Sequence, residues 1–384
     1  MITDGIKFKN FKILKNSSKI RNRLEFLIKK NNSIIQSLRN NYKDSFNLKK
    51  LKKLKKLKNF RLIGMGGSSL GAEAIYSFLR NKVKNNFLFF NDLDVSIKNH
   101  KKKNYTNLII SKSGETIETI TNTNILINKF DKNIFITEKN KNYLTKLASK
   151  LKAEVVEHNN FIGGRYSVLS ETGMLPAELM GLNSKKFRQL NSLIKNKKYL
   201  TALVSNVDSI LSFVKKKKYN SVILNYDQRS EGLFYWYQQL VAESLGKNKK
   251  GLLPIVSNMP KDNHSVMQLY LDGFKGNFFT FFYVHETNSS KINNRSILLA
   301  KKYLKNKRLT DIIFAQKKAT ENVFKNKNIP FRSFEIFKRD EKTLGELFCF
   351  FILETILLGE AMNINPYNQP SVELIKNETK KILS

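Results

Sequence analysis

A glycine-rich turn between a short apolar strand and an amphipathic helix is the first place where this sequence could do chemistry. The stretch reads Arg61-Leu-Ile-Gly-Met-Gly-Gly-Ser-Ser-Leu-Gly71. Because glycine lacks a side chain, the turn can bring backbone N–H groups, the free donors of the helix start and the hydroxyls of Ser68 and Ser69 onto one anion. Its spacing matches neither the phosphate loop nor the dinucleotide G-x-G-x-x-G. It therefore favours a small phosphorylated ligand, the alternative being a tight turn that binds nothing.

A second hydroxyl-rich turn also follows an apolar strand, in the stretch Leu108-Ile-Ile-Ser-Lys-Ser-Gly-Glu-Thr-Ile-Glu-Thr119. Ser111, Ser113 and Thr116 supply neutral donors, and Lys112 can add a point charge. Taken alone, Ser113 or Thr116 can simply cap the following helix. Two such turns at the carboxyl ends of neighbouring parallel strands would face one crevice. Together they predict a sugar-phosphate pocket.

An apolar helix over residues 232–247 carries a candidate catalytic carboxylate. Gln239, Glu243 and Lys247 are spaced by four residues and share one face. The plain alternative is an exposed Glu243–Lys247 ion pair, which contributes only ~0.3–0.5 kcal/mol. The aromatic and aliphatic neighbours argue against it, because a carboxylate on a buried helix is costly unless it has a partner or a chemical role.

These stretches lie within alternating strands and helices, which predict parallel sheets with helices on both faces. In the first unit the predicted strands are 62–63, 87–90, 107–110, 133–136 and 154–156, and the predicted helices are 70–80, 116–129 and 141–151. In the second unit the strands are 221–224, 277–284 and 331–337, and the helices are 232–247, 295–306 and 309–325. An apolar helix over 343–362 is expected at the centre of the packing, and a helical lead-in is expected over 17–40.

Length and composition indicate a globular protein of two packed domains or one large one. The chain has 384 residues, of which 41% are hydrophobic. Its single cysteine, Cys349, lies in an apolar run, so a disulfide framework is excluded and a reducing compartment is expected. The N-terminus has no apolar core of signal-peptide length, and no apolar run is long enough to span a bilayer. We therefore predict a soluble, cytoplasmic protein.

The charge of +38 has three competing explanations. Nucleic acid, an anionic membrane or a phosphorylated substrate would each be attracted to such a surface. The lysines are nevertheless spread over the whole chain beside many Asn and Ile residues, which favours a compositional drift. The densest run, residues 48–58, is expected to form a surface helix with a solvated lysine face. We predict neither a nucleic-acid partner nor a membrane partner.

A third motif makes a family resemblance specific. In Gly163-Gly-Arg-Tyr-Ser-Val-Leu-Ser170 two glycines allow the backbone to bring Arg165 close to a ligand. With the two turns described above, it resembles the ordered signatures of the glucose-6-phosphate isomerase family, which has the sugar-isomerase (SIS) fold. The resemblance covers about residues 60–376 and implies an α/β protein with two SIS-type three-layer α/β/α domains, parallel sheets, and N- and C-terminal helical segments.

The domain boundaries follow from placing these motifs on the chain. We expect an N-terminal helical segment at 1–56 and a first SIS domain with the phosphate-binding turns at 57–200. A second SIS domain with the catalytic glutamate and histidine is expected at 201–345. A C-terminal helical arm that carries Lys376 is expected at 346–384.

The resemblance also implies roles for individual residues. Gln-Leu-Val-Ala-Glu243-Ser-Leu-Gly-Lys matches the segment whose glutamate shuttles the proton, His264 matches a Gln-His-Ser segment, and Lys376 ends the C-terminal signature. Isomerisation of a sugar phosphate requires ring opening and proton transfer between C1 and C2 through an enediol. One carboxylate can perform both transfers, and a guanidinium can stabilise the developing charge. The implied catalytic residues are Glu243, His264, Lys376 and Arg165.

The implied substrate-binding residues are Gly67, Ser68, Ser111, Lys112, Ser113, Thr116 and Gln239. Most of them would hold the phosphate and supply binding energy remote from the reacting carbons, while Gln239 would orient the sugar. No metal and no cofactor are implied, since no His/Cys/Asp group has ligand spacing. Family members are typically dimers in which the histidine enters the neighbouring site, so a homodimer with shared active sites is expected.

Three positions depart from the family pattern. Glu171 stands where a small residue or proline is usual, and it could pair with Arg165 or point to solvent. Asn263 replaces the commoner glutamine before His264, and Ser371 replaces a glycine in the tail.

Two other functions stay open from the sequence. Another SIS-fold isomerase, acting on both glucose and mannose 6-phosphate or on a ketosamine phosphate, would keep both hydroxyl turns, although the latter would lack the arginine and tail motifs. A non-catalytic sugar-phosphate sensor would keep the serines but would not need Glu243. It would usually carry a DNA-binding helix pair, and no second recognition helix follows the lysine run.

Overall fold

The computed structural model describes residues 1–11, 18–97 and 105–384. Within them the strands are β1 (Ile6–Lys9), β2 (Asn59–Gly64), β3 (Asn86–Phe90), β4 (Thr106–Ile110), β5 (Lys132–Thr137), β6 (Glu154–Glu157), β7 (Asn220–Asn225), β8 (Leu253–Asn258), β9 (Asn277–Val284) and β10 (Phe331–Ile336).

The helices before the second sheet are α1 (Ser18–Lys30), α2 (Ser33–Ser37), α3 (Leu48–Leu54), α4 (Leu70–Phe78), α5 (Ile117–Leu126), α6 (Tyr143–Lys150), α7 (Glu171–Leu179), α8 (Ser184–Phe187), α9 (Leu190–Leu193) and α10 (Lys197–Lys215). The later helices are α11 (Glu231–Leu245), α12 (Met267–Asp272), α13 (Leu309–Asn326), α14 (Glu341–Ala361) and α15 (Val372–Leu383). None of the described helices is long and apolar enough to cross a lipid bilayer.

The first sheet is wholly parallel, with the strand order β3-β2-β4-β5-β6. The order changes direction between β2 and β4, so the turns after these two strands lie side by side at the carboxyl edge. This arrangement confirms the predicted α/β class and places the two hydroxyl-rich turns together.

The second sheet has the order β1-β10-β9-β7-β8, with all neighbours parallel except β1. The N-terminal strand β1 runs antiparallel to β10 and closes one edge of the sheet. The predicted N-terminal helical segment therefore needs a correction, because its first residues form a strand of the second sheet. Apolar and charged residues alternate along Ile6-Lys-Phe-Lys9, and this two-residue period is the one expected of such a strand.

Alternate strand residues separate the structure into layers, because successive side chains point to opposite faces of a sheet. In the first sheet Leu62 and Leu108 join a central core, whereas Ile63 and Ile109 pack in an outer core. In the second sheet Phe278 joins the same central core, and its neighbour Phe279 packs on the outside. The central core therefore lies between the two sheets, and α14 runs through it almost entirely buried.

Two predicted helices are interrupted. The lead-in expected over 17–40 divides into α1 and α2, because Asn31 adopts a left-handed backbone (φ 47°) and Asn32 caps the next helix; its first residue, Ser17, lies outside the described residues. The helix expected over 295–306 is instead two short 3-10 turns. The apolar side chains of Leu298 and Tyr303 are 75% and 66% exposed, so these two residues contribute no buried face to a longer helix.

A buried charge network joins β10 to α14. Arg332 and Glu354 are both fully buried and form an ion pair. The glutamate also accepts from Asn206 and, at 3.1 Å, from the Tyr237 hydroxyl, while the arginine Nε donates to Thr280 at 2.9 Å. Removing one partner of such a pair would leave an uncompensated charge in the core.

Replacing Glu354 by Ala should therefore lower the free energy of unfolding by about 3–5 kcal/mol, because Arg332 loses its counter-ion while staying buried. The measurement is urea unfolding of both proteins. Glu378→Ala removes an exposed carboxylate that pairs with Lys381, and it should change stability by less than about 1 kcal/mol. Equal effects of the two substitutions would contradict this account of the buried pair.

Candidate functional site

The two hydroxyl-rich turns meet where β2 and β4 end. Gly64 pairs with Ile110, and a Cβ placed on Gly64 would lie 2.9 Å from the Ile110 carbonyl oxygen and 3.1 Å from the Ser68 Cβ. On the neighbouring turn the hydroxyls of Ser111 and Thr116 are 2.9 Å apart. The predicted phosphate-binding hydroxyls are therefore neighbours at one edge of the sheet.

The other residues of the second turn differ in how they are used. Ser113 is exposed, and its hydroxyl accepts from the Glu115 backbone N–H at 3.3 Å. The Lys112 ammonium donates to the Asn160 carbonyl at 2.8 Å and lies 3.5 Å from the Glu138 carboxylate. The Lys112 charge is thus already bound by protein groups, whereas the Ser113 side chain is exposed to solvent.

Glycines bring this edge into contact with the arginine turn. A Cβ on Gly67 would lie 2.2 Å from the carbonyl carbon of Gly164 and 2.6 Å from the Arg165 nitrogen. Gly66 adopts φ 53°, and a Cβ there would lie 2.7 Å from the Gln239 Nε2. Only glycine permits these approaches, so the first turn touches both the arginine turn and α11.

The Glu243 carboxylate lies at this junction and is fixed on both oxygens. The Arg165 guanidinium donates to Oε2 at 3.1 Å, and Gln239 donates to Oε1 at 2.9 Å. The glutamate side chain is 27% exposed, whereas that of the arginine is 2% exposed. The predicted base is therefore held rigidly and still has access to a ligand.

Arg165 uses all five of its N–H groups within the protein. Nε donates to Ser244 Oγ at 2.8 Å, and the two terminal nitrogens donate to Glu243, to Gln369 and to two backbone carbonyls. These carbonyls belong to Pro366 and Asn368, at 2.8 and 3.1 Å. The guanidinium thus joins α11 to the chain that leads into α15.

Sequence reasoning missed Gln369 and Ser244, both of which bind Arg165. Gln369 lies in the tail motif Asn-Gln-Pro-Ser, in which the family resemblance points only to the later Lys376. Ser244 directly follows Glu243, is fully buried, and also lies 2.8 Å from the Tyr166 hydroxyl. A polar residue beside the catalytic candidate on an apolar helix was the available signal.

Glu171 neither pairs with Arg165 nor points to solvent. Its carboxylate accepts from the Tyr42 hydroxyl at 3.0 Å and from the Ser45 backbone N–H at 3.2 Å. Burial raises the pKa of this carboxyl above its usual value. The departure from the family pattern therefore anchors the loop before α3 and leaves the arginine unaffected.

Lys247 does not form the ion pair that the spacing suggested. Its ammonium donates to the Ser244 carbonyl at 2.9 Å and to the Asn365 carbonyl at 2.5 Å. Burial and the neighbouring Arg165 charge lower the pKa of Lys247 to about 8, against the attraction of Glu243.

Within one chain His264 lies away from Glu243. His264 is exposed in a short turn after β8. The end of β8 lies beside the start of α11, where Asn258 donates to Glu231 at 2.7 Å. Glu243 follows twelve residues later, which is about 18 Å along a helix. Lys376 is exposed on α15 and pairs with Glu373 at 2.7 Å.

The described residues contain no group of three or more His, Cys, Asp or Glu side chains that could hold a metal ion. The site consists instead of hydroxyls, amides, one carboxylate and one guanidinium. Such a set can bind a phosphate and a polyol and can move a proton at one carbon.

Comparisons with known proteins agree on one family. The family described as phosphoglucose isomerase matches residues 28–384. A glucose-6-phosphate isomerase of Methanocaldococcus jannaschii is 34% identical over 362 residues, which cover 88% of this chain and 86% of the relative. One of Campylobacter jejuni is 30% identical over 354 residues, which cover 85% of each.

Solved structures show the same fold at lower identity. A hypothetical protein of Thermus thermophilus superposes with a TM-score of 0.82 at 22% identity, over 95% of this chain and 94% of the other. A glucose-6-phosphate isomerase of Chlamydia trachomatis superposes with a TM-score of 0.73 at 16% identity, over 99% of this chain and 89% of the other.

Gly67→Ala should remove binding of a phosphorylated sugar, because the new methyl would meet the Gly164 backbone and force the two turns apart. Binding is measured as ligand-dependent stabilisation against thermal unfolding. Gly163→Ala is the matched control, since the nearest atom to its Cβ is a Tyr166 ring carbon at 3.8 Å. Normal ligand stabilisation of Gly67→Ala would refute the role of this contact.

Proposed function

Because the chain belongs to the phosphoglucose isomerase family, we propose that it interconverts glucose 6-phosphate and fructose 6-phosphate. The observation that carries this proposal is the Glu243 carboxylate, which is fixed by Arg165 and Gln239 beside two hydroxyl-rich turns. The turns offer the phosphate a neutral cradle, and the carboxylate offers the reacting carbons a base.

Glu243 acts as the base in both proton transfers of the proposed reaction. After ring opening it takes the proton from C2 of glucose 6-phosphate and returns it to C1 through a cis-enediol. The bonds to Arg165 and Gln239 occupy one lone pair on each oxygen and leave others free to reach the substrate. Fixing the carboxylate in advance lowers the entropic part of the barrier.

Arg165 contributes through its charge and by positioning Glu243. Since all five N–H groups are already used, the guanidinium stabilises the developing enediolate as a nearby buried cation. A direct hydrogen bond to the substrate would require Gln369 to move away first. The proposed role of the arginine is therefore more structural than the sequence motif suggested.

The phosphate binds at the turns. The open hydroxyl of Ser113 and the backbone of the first turn are the available donors, with Ser68, Ser111 and Thr116 completing the cradle. Binding there is remote from C1 and C2, so its free energy can orient the reacting carbons.

A second copy of the chain supplies His264 in the proposed active enzyme. Within one chain this exposed histidine lies at the other end of α11 from Glu243. In a homodimer with shared sites the imidazole and Lys376 would serve ring opening as acid and base. The single buried cysteine and the glycolytic reaction favour a cytoplasmic location.

Glu243→Gln should reduce turnover by a factor on the order of 10² to 10⁴, because the amide cannot accept the proton. Turnover of fructose 6-phosphate is followed through an NADP-dependent dehydrogenase that consumes glucose 6-phosphate. Sugar-phosphate binding should persist, since the turns are unchanged. The matched control is Glu25→Gln on the exposed surface of α1. A rate for Glu243→Gln equal to that of this control would exclude Glu243 as the base.

Hybrid dimers test the sharing of sites between chains. Glu243→Gln and His264→Ala should each be inactive alone, and refolding them together should restore about a quarter of the normal activity, because half of the random dimers contain one intact site. The same mixture of two Glu243→Gln preparations is the control. No recovery from hybrids whose formation is verified by mass would rule out a shared site.

A further inference from the structure

A short connection between α14 and α15, residues 362–369, is held by cationic side chains through its backbone carbonyls; we call it the strap. Lys250 donates to the Met362 carbonyl at 3.1 Å, and Lys247 donates to that of Asn365 at 2.5 Å. Arg165 donates to the carbonyls of Pro366 and Asn368 at 2.8 and 3.1 Å. Four strap carbonyls thus accept from three cations.

The strap also depends on close packing against α14. A Cβ on Gly359 would lie 2.9 Å from the Pro366 Cβ, so the helix approaches the strap closely at a glycine. The Tyr166 hydroxyl donates to the Pro366 carbonyl at 3.0 Å. These contacts fix the middle of the strap, and Gln369 at its end reaches the Arg165 guanidinium.

We propose that Lys247 is a positioning residue for the isomerisation: it fastens the strap to α11 and thereby sets the place of Gln369 and of the start of α15, which carries Lys376. This inference rests on the proposed function. The Lys247 ammonium donates to two backbone carbonyls and makes no hydrogen bond to the Glu243 carboxylate, so it acts through the strap.

The geometry separates Lys247 from the many other lysines of the chain. Its ammonium bridges two elements, because one bond closes the end of α11 at Ser244 and the other crosses to Asn365. Two residues further on, Lys249 is exposed, and no hydrogen bond of its side chain is present among the described residues. A chain rich in lysine thus provides a control at the same loop.

The attachment of the strap to α11 by Lys247, which we call the clamp, depends on pH through the charge of Lys247. The charged groups that act on its ammonium are Arg165 of the arginine turn and Glu243 on α11, while Tyr166 and Tyr367 pack against each other at the strap. Since the pKa of Lys247 is about 8, the ammonium loses its proton as pH rises through that value. Its hydrogen bonds to the two carbonyls then lose their charge assistance, so the clamp weakens on the alkaline side.

The experiment compares Lys247→Met, Lys247→Arg and the control Lys249→Met in the full-length enzyme. Lys247→Met should lower kcat by a factor on the order of 10 to 100, as expected for losing charged hydrogen bonds, while KM changes little because the phosphate turns are intact. Lys249→Met should match the unchanged protein. Lys247→Arg should restore most of kcat and move the alkaline fall of kcat to higher pH, since arginine stays charged.

Hydrogen exchange gives a readout that is independent of activity. Amides in the peptide covering 362–369 should exchange at least about 10-fold faster in Lys247→Met than in Lys249→Met, with the turns at 64–71 unchanged. Normal exchange of the strap together with normal kcat in Lys247→Met would overturn the proposal. An unchanged protein that binds sugar phosphate but does not isomerise it would instead refute the proposed function, while faster strap exchange would still support the clamp.

Discussion

The fully satisfied guanidinium of Arg165 is the interaction on which the rest of the site depends. A buried cation is costly unless its donors and its charge are matched. Here the match comes from two distant parts of the chain: Glu243 and Ser244 on α11, and the strap with Gln369 and its backbone carbonyls. Because no donor is left over, the arginine turn, α11 and the strap have one favourable arrangement. The position of the proposed base follows from that arrangement.

The glycines of the first turn impose the second constraint. Gly67 lets the phosphate turn lie against the backbone of Gly164, directly before Arg165. Gly66 lets the same turn approach Gln239, which in turn fixes Glu243. The proposed phosphate site and the proposed base are thereby connected through one backbone contact, at Gly164, and one side chain, that of Gln239. Misplacement by an ångström at this junction would separate the base from its substrate.

The sequence predicted those parts of the site that are local. Residue types at fixed short spacings identify both hydroxyl turns, the arginine turn and the helix of Glu243. The family resemblance explains their order along the chain. Contacts between distant segments have no such pattern. Gln369 and Ser244 bind the arginine across gaps of 204 and 79 residues, so their neighbouring sequence did not identify Arg165 as the partner.

The strands and helices were likewise predictable where they depend on local sequence patterns, and not where they depend on distant partners. Strands β2, β4, β7 and β9 carry strong apolar patterns, whereas β1 has four residues and is stabilised only by pairing with β10, more than 300 residues later. The stretch 295–306 has helical spacing, but its side chains Leu298 and Tyr303 are exposed rather than packed, and it forms short turns instead. His264 and Lys376 were selected by motif, and a motif does not report distance to Glu243.

A crystal structure with fructose 6-phosphate bound tests the central claim most directly. The account predicts the phosphate on the turn of Ser111 to Thr116, C1 and C2 within hydrogen-bond reach of the Glu243 carboxylate, and Arg165 still bound to the strap. A sugar phosphate seated elsewhere, or one whose reacting carbons lie far from Glu243 while the phosphate occupies the turns, would contradict it.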